Sequence, residues 1–133
     1  TCDYLFFDLP PGITDPVIEL LKKYQDTNHI NVLLVSEPSE ISIKDTLRCV
    51  SVFDNFDHSK YSFILNKCYD EDEYKNSKSI VKDLFTDIDE DTIVKLPFST
   101  KVRKAYSRKE WHDFSKTSKS FNELIENLNE IRK

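Results

Sequence analysis

Short apolar runs alternate along this chain with stretches in which apolar residues recur every three or four positions. Tyr4-Leu5-Phe6-Phe7, continuing to Leu9, is an apolar run stopped by Pro10-Pro11, and it is predicted to be a buried strand. Asp15 then caps a predicted helix with Pro16 in its first turn and Val17, Ile18, Leu20, Leu21 and Tyr24 on its apolar face. Asn31-Val32-Leu33-Leu34-Val35-Ser36 has no alternation at all, the pattern of a strand covered on both faces. Glu37-Pro38-Ser39 ends it, and a helix from about Ser42 to Phe56 follows, with Ile43, Leu47, Val50, Val52 and Phe53 at candidate buried positions.

Tyr61 to Asn66 is predicted as the third strand. An acidic loop, Tyr69 to Glu73, leads into a helix over Tyr74–Phe85 with Ile80, Val81, Leu84 and Phe85 facing inward. Thr92 to Leu96 is a fourth short strand closed by Pro97. Beyond Ser99 the chain reads as a basic loop or short helix and then a last helix, with Phe121, Leu124, Ile125, Leu128 and Ile131 at helical spacing. Strand and helix in regular alternation predict right-handed βαβ units, hence an α/β fold: a three-layer α/β/α arrangement around a mostly parallel sheet. With no repeat, low-complexity tract or long linker, residues 1–133 are expected to form part of one domain.

Composition sharpens this picture in three places. A hydrophobic content of 38% with 12% aromatics can build a core, which excludes global disorder. The single glycine, Gly12, means that no G-x-x-x-x-G-K-[ST] phosphate loop can be written in these residues. Thr1 and the absence of methionine suggest the carboxyl-terminal part of a longer protein, or one half of a split one. The net charge of −5 is uneven: residues 1–95 carry 19 acidic and 10 basic side chains, whereas residues 96–133 carry 5 acidic and 9 basic. Only the tail is therefore suited to phosphates or an acidic partner. Cys2, Cys49 and Cys68 are isolated, without a C-x-x-C, which fits reduced thiols in the cytoplasm better than a disulfide framework or a closed zinc site. His29, His58 and His112 are scattered and read as surface residues.

The candidate chemistry begins at Asp8-Leu9-Pro10-Pro11-Gly12-Ile13-Thr14-Asp15. A strand end can project one carboxylate into the crevice at the carboxyl edge of a parallel sheet, where ligands of such folds bind. The prolines stiffen the loop, and Gly12 lets a bare backbone N–H approach a phosphate oxygen. Taken alone, an Asp before a proline turn is common in α/β proteins. The whole octet between an apolar run and a helix resembles the Walker B and switch II region of the MinD/ParA/Mrp class of deviant-Walker ATPases. That resemblance implies that Asp8 holds Mg²⁺ through a water and that the Gly12 N–H contacts the γ-phosphate.

Three further segments resemble the same class in the same order. Val32 to Ser39 is similar to its apolar strand followed by a "(T/S)-x-P" turn. Leu65-Asn66-Lys67 matches a strand end where the Asn side chain reads the adenine edge. Lys95-Leu96-Pro97-Phe98 matches its "(I/L)-P-(Y/F)" turn beside the base, with Val102 and Ala105 where the class often has a V-x-x-A pair. The matches span residues 4–105 and imply the carboxyl-terminal half of a P-loop ATPase domain, with the phosphate loop upstream. They also imply ATP and Mg²⁺ as cofactors, a homodimer sandwiching ATP, and an activating partner protein.

Lys101, Arg103, Lys104, Arg108 and Lys109 crowd nine residues beside Tyr106 and Trp111. They read first as a solvated basic surface, and alternatively as contacts to a protein partner or to nonspecific DNA of the kind partition ATPases bind. The polar side of the last helix is acidic until Arg132 and Lys133, which argues against a membrane anchor. The implied function is a ParA/MinD-like partitioning or positioning ATPase, this chain alone being inactive for lack of a phosphate loop. The alternatives are a non-enzymatic, degenerate partner-binding module and an Mrp-like iron–sulfur carrier, the latter ranked lower because the bridging C-x-x-C is missing.

Overall fold

Three strands rich in apolar residues pair in chain order into one parallel sheet. The computed structural model describes residues 5–10, 12, 14–24, 30–55, 60–108, 122 and 126. Helix α1 (Asp15–Tyr24) comes first, and strand β1 (Asn31–Ser36) follows. Helices α2 (Glu40–Leu47) and α3 (Val50–Phe53) lead to β2 (Lys60–Cys68). Helix α4 (Glu71–Leu84) and a 3₁₀ turn, Glu90–Thr92, lead to β3 (Ile93–Pro97), after which comes α5 (Thr100–Ser107). The sheet order is β1-β2-β3, with Leu34 opposite Phe63 and Phe63 opposite Ile93.

The register sorts side chains between two faces, because successive residues of a strand point to opposite sides. Val32, Leu34, Phe63, Leu65 and Ile93 share one face and belong to the main core cluster. Right-handed crossovers between parallel neighbours in order carry their helices to the same side. Accordingly α2 packs on β1, α4 packs on β2, and the two helices pack on each other, contributing Ile43 and Val81, both fully buried. Val17 and Leu21 of α1 join the same cluster.

The opposite face is closed over β2 and β3 but open over β1. Ser62, Ile64 and Val94 are buried there, whereas Leu33 and Val35 of β1 are 42% and 52% exposed. The expectation of a β1 covered on both faces is therefore corrected: this strand stands at the sheet edge with one apolar side in solvent.

The larger correction concerns the apolar run that precedes Asp8. Residues 5–10 have no regular secondary structure, and Leu5 and Phe6 are 63% and 86% exposed. A strand can be buried only if its N–H and C=O groups find a ladder. Among the described residues the free edge of β1 takes up no strand, so the run stays outside the sheet. Phe7 turns back, its ring 5.7 Å from that of Tyr24 at the end of α1.

Smaller differences come from capping. The helix expected from Ser42 starts at Glu40 because the Ser39 hydroxyl accepts from the Ser42 N–H at 3.2 Å, and it breaks at Arg48–Cys49 into α2 and α3. The helix expected from Tyr74 starts three residues earlier, because the Asp70 carboxylate accepts from the Glu73 N–H at 2.8 Å. Three acidic residues in that first turn suit the positive end of its dipole, so most of the expected acidic loop is helix. Leu84, expected inside, is 47% exposed, while Phe85 just past the helix is buried. In α1 the Thr14 carbonyl accepts from Val17 and Ile18, so Asp15 is the first helical residue rather than the cap. The expected last helix lies outside the described residues except for Asn122 and Glu126, which are helical and exposed.

Candidate functional site at the carboxyl edge of the sheet

A parallel sheet collects the carboxyl ends of its strands on one edge, and here that edge is built from Ser36–Glu37, Asn66–Tyr69 and Pro97–Phe98. Asn66 stands opposite Leu96, and Cys68 opposite Pro97, so β2 fits an extra residue, Lys67, against one step of β3. Lys67 takes up this bulge at φ 64°, in the left-handed region that a lysine rarely visits. Its ammonium reaches across to Glu37 at 2.5 Å and ties the exit of β2 to the exit of β1. Such bulges re-aim side chains and occur often beside binding sites.

Asn66, partly buried, and Pro97 thus occupy neighbouring strand ends, as the base-side reading of these two residues requires. Cys68 between them is buried, its thiol donating to the Leu65 carbonyl at 3.3 Å. Burial pushes that thiol's pKa up, with the Glu73 carboxylate adding to the effect. It is an inert structural thiol. On the α4 side, the Lys95 ammonium pairs with the Glu71 carboxylate and lies 5.4 Å from the Tyr74 ring centre. The pairing raises the Lys95 pKa and lowers that of Glu71.

Asp8 and Gly12 are not brought into this edge by any hydrogen bond or ion pair among the described residues. Both are exposed. Gly12 does adopt φ +84°, and a Cβ built there would meet no heavy atom within 4 Å. The glycine is therefore needed for its backbone conformation and not for lack of space beside it. Lys101, Arg103, Lys104 and Arg108 all lie exposed on or at the end of α5, which the Ser99 hydroxyl caps. Lys109 and Trp111 lie outside the described residues, as do Cys2 and the three histidines.

Two features of the edge went unread in the sequence. One is the Lys67–Glu37 tie, which depends on a left-handed residue that no local pattern announces. The other is the ring of Tyr69, which stacks on Phe98 with centroids 4.6 Å apart and planes at 23°. Asp70-x-x-Glu73 has the form of a capping box and could have shown that Tyr69 stands outside the helix, at the mouth of the edge.

Among the described residues no group of three His, Cys, Asp or Glu is placed to hold a metal ion, and no helix is long and apolar enough to cross a membrane. A family model described as ParA, the NUBPL iron-transfer P-loop NTPase, matches residues 1–131. No curated protein and no solved structure matches the chain.

Proposed function

This chain belongs to the ParA family of P-loop NTPases of the NUBPL iron-transfer type, and from that premise we propose that it supplies the metal-sensing, γ-phosphate-sensing and base-side residues of an ATP-driven association switch. ParA/Mrp-like ATPases use a nucleotide and Mg²⁺. The residues present fit half of that ligand. A lone exposed carboxylate, Asp8, suits an Mg²⁺ that keeps several waters and takes its other oxygens from phosphates. The backbone N–H of exposed Gly12, a residue without a side chain to shield it, suits a phosphate oxygen. When bound, ATP would supply the phosphoryl group transferred to water, and Mg²⁺ would neutralise the charge on its phosphates.

Asn66 and Pro97 hold the base side, and the observation that carries the reading is their placement on adjacent strand ends at the carboxyl edge. The Asn66 amide both donates and accepts, as an adenine edge requires. Lys67 and Glu37 keep the exits of β1 and β2 in register with each other. With one glycine, these residues cannot also cradle the triphosphate. That cradle comes from other residues, so this chain is one part of a composite site. Its output is an ATP-dependent homodimer that an activating partner protein releases, in a partitioning or positioning role. The exposed cations of α5 offer a surface for that partner or for DNA backbone.

The family description names iron transfer, and it favours a second reading, in which the iron travels as an iron–sulfur cluster. In that case the cluster is cargo, and its ligands are not Cys68, whose thiol is buried. The test of the main reading is Asp8→Ala in the natural full-length protein. Hydrolysis is abolished while the circular dichroism spectrum and melting temperature are retained. Undiminished hydrolysis would remove Asp8 from the site. Anaerobic reconstitution with iron and sulfide decides the second reading: a cluster that forms in wild type and in Cys68→Ser alike supports it, and no cluster in wild type sinks it.

A further inference from the structure

At the mouth of the carboxyl edge the fold fixes an aromatic ring that it does not use in its core. Tyr69 is 72% exposed, yet its position is determined on both sides. The Phe98 N–H donates to the Cys68 carbonyl at 2.8 Å, which continues the pairing of β2 and β3 one step past Pro97. The Tyr69 N–H donates to the Glu73 carboxylate at 2.6 Å, which anchors the residue to the first turn of α4. Phe98, partly buried, supports one face of the tyrosine ring. A large aromatic surface held rigidly in solvent pays no further ordering cost when a flat ligand covers it.

We infer that Tyr69, backed by Phe98, is the stacking platform for the base of the bound nucleotide, adding affinity while Asn66 supplies base identity. The inference rests on the nucleotide reading of this edge and goes beyond it by naming the residue that grips the base. Tyr69 lies three Cα steps from Asn66, a span of at most about 10 Å even when extended, and the left-handed Lys67 shortens it. One planar base can therefore meet both. Stacking uses the face of a ring and is indifferent to the groups at its edge. Tyr69 therefore strengthens ATP and GTP equally and does nothing for a triphosphate without a base.

The experiment is a calorimetric titration of the full-length natural protein with ATP, GTP and inorganic triphosphate. Tyr69→Ala weakens ATP and GTP by the same factor, roughly 5- to 140-fold, and leaves inorganic triphosphate binding unchanged. Tyr69→Phe keeps wild-type affinity for all three. Tyr69→Leu, which preserves apolar bulk without an aromatic face, behaves like Tyr69→Ala. Wild-type ATP affinity in the Ala or Leu variant overturns the platform and leaves the nucleotide reading standing. A parallel loss of triphosphate binding also overturns it, since the effect is then on the fold. If the wild-type protein binds neither ATP nor GTP, the nucleotide reading fails and the platform fails with it.

Discussion

Replacing Gly12 with alanine separates the conformational role of the loop from any role in the fold. Gly12 sits at φ +84° in an exposed segment, and a new methyl group would meet nothing within 4 Å. The perturbation is thus purely one of backbone: an L-residue in the left-handed region costs about 1–2 kcal/mol. That is an upper bound on the loss of stability, because Pro10 and Thr14 on either side are exposed too and the loop can relax to negative φ instead. Against a total stability of about 5–15 kcal/mol, urea denaturation of Gly12→Ala should therefore stay within about 2 kcal/mol of wild type. Relaxation turns the N–H away from where it points now. If that N–H stabilises the transferring γ-phosphoryl group, the single-turnover hydrolysis rate of the full-length protein falls by about 10²–10³, the usual effect of losing one such donor. A rate within threefold of wild type would refute the phosphate contact. A stability loss above 3 kcal/mol would refute the premise that the loop is uncoupled from the core.

Three further outcomes test the surrounding structure. Tyr61 donates to Asp54 at 2.9 Å, and burial, reinforced by that carboxylate, pushes its pKa far above 10. The folded state therefore holds this proton more tightly than the unfolded state. Its contribution is complete below pH 10 and is lost as the pH rises further, at no more than about 1.4 kcal/mol per pH unit; urea titrations between pH 8 and 11 should show a shallower alkaline decline in Tyr61→Phe, and an identical slope would remove Tyr61 from the account. At Lys67, glycine relieves the φ of 64° but loses the exposed Glu37 pair and stiffens nothing, so Lys67→Gly should lie within about 1 kcal/mol of wild type while β-branched Lys67→Val loses more than that; equal stability of the two variants would contradict the left-handed assignment. Leu33 and Val35 leave about half their surface in solvent beside a strand edge that is unpaired among the described residues, roughly 1 kcal/mol of unrealised burial each. The 133-residue chain expressed alone should therefore self-associate in light scattering, and Leu33→Lys with Val35→Lys should reduce association without lowering the melting temperature; a monodisperse wild-type monomer would sink this.

The parallel sheet was legible because its strands are short apolar stretches alternating with helical patterns, and Asn31–Ser36 appears with the expected bounds. Helix starts were less legible, since Ser39 and Asp70 win their caps by side-chain bonds that compete only weakly in pattern with the residues around them. The run before Asp8 shows where periodicity stops informing. Leu5, Phe6, Phe7 and Leu9 have the composition of a buried strand, but composition cannot supply the partner edge that a strand needs. The same limit hid the openness of β1: its residues suit a central strand, and position in the sheet decides whether both sides are covered. Of the carboxyl edge, the neighbouring strand ends that carry Asn66 and Pro97 were legible through chain order. Lys67–Glu37 and Tyr69–Phe98 were not, since each joins residues about 30 apart through a register fixed only when β1, β2 and β3 pair.

These two failures have one physical origin, and it bears on how the switch works. A strand end can be aimed only by the strands beside it, which is why the described edge is ordered where β1, β2 and β3 adjoin. Glu37, Lys67, Cys68 and Phe98 are all held there by contacts between strands. Asp8 follows an apolar run that no strand flanks among the described residues, and its carboxylate is correspondingly unaimed. A metal-sensing carboxylate that is positioned only when its strand is taken into a sheet couples metal binding to that docking: each favours the other by the same factor, as linkage requires. In the proposed switch the base side is thus preorganised, and the phosphate side is completed on assembly. Nucleotide affinity should come first from the Asn66–Tyr69 edge, and hydrolysis only once the Asp8 run is paired.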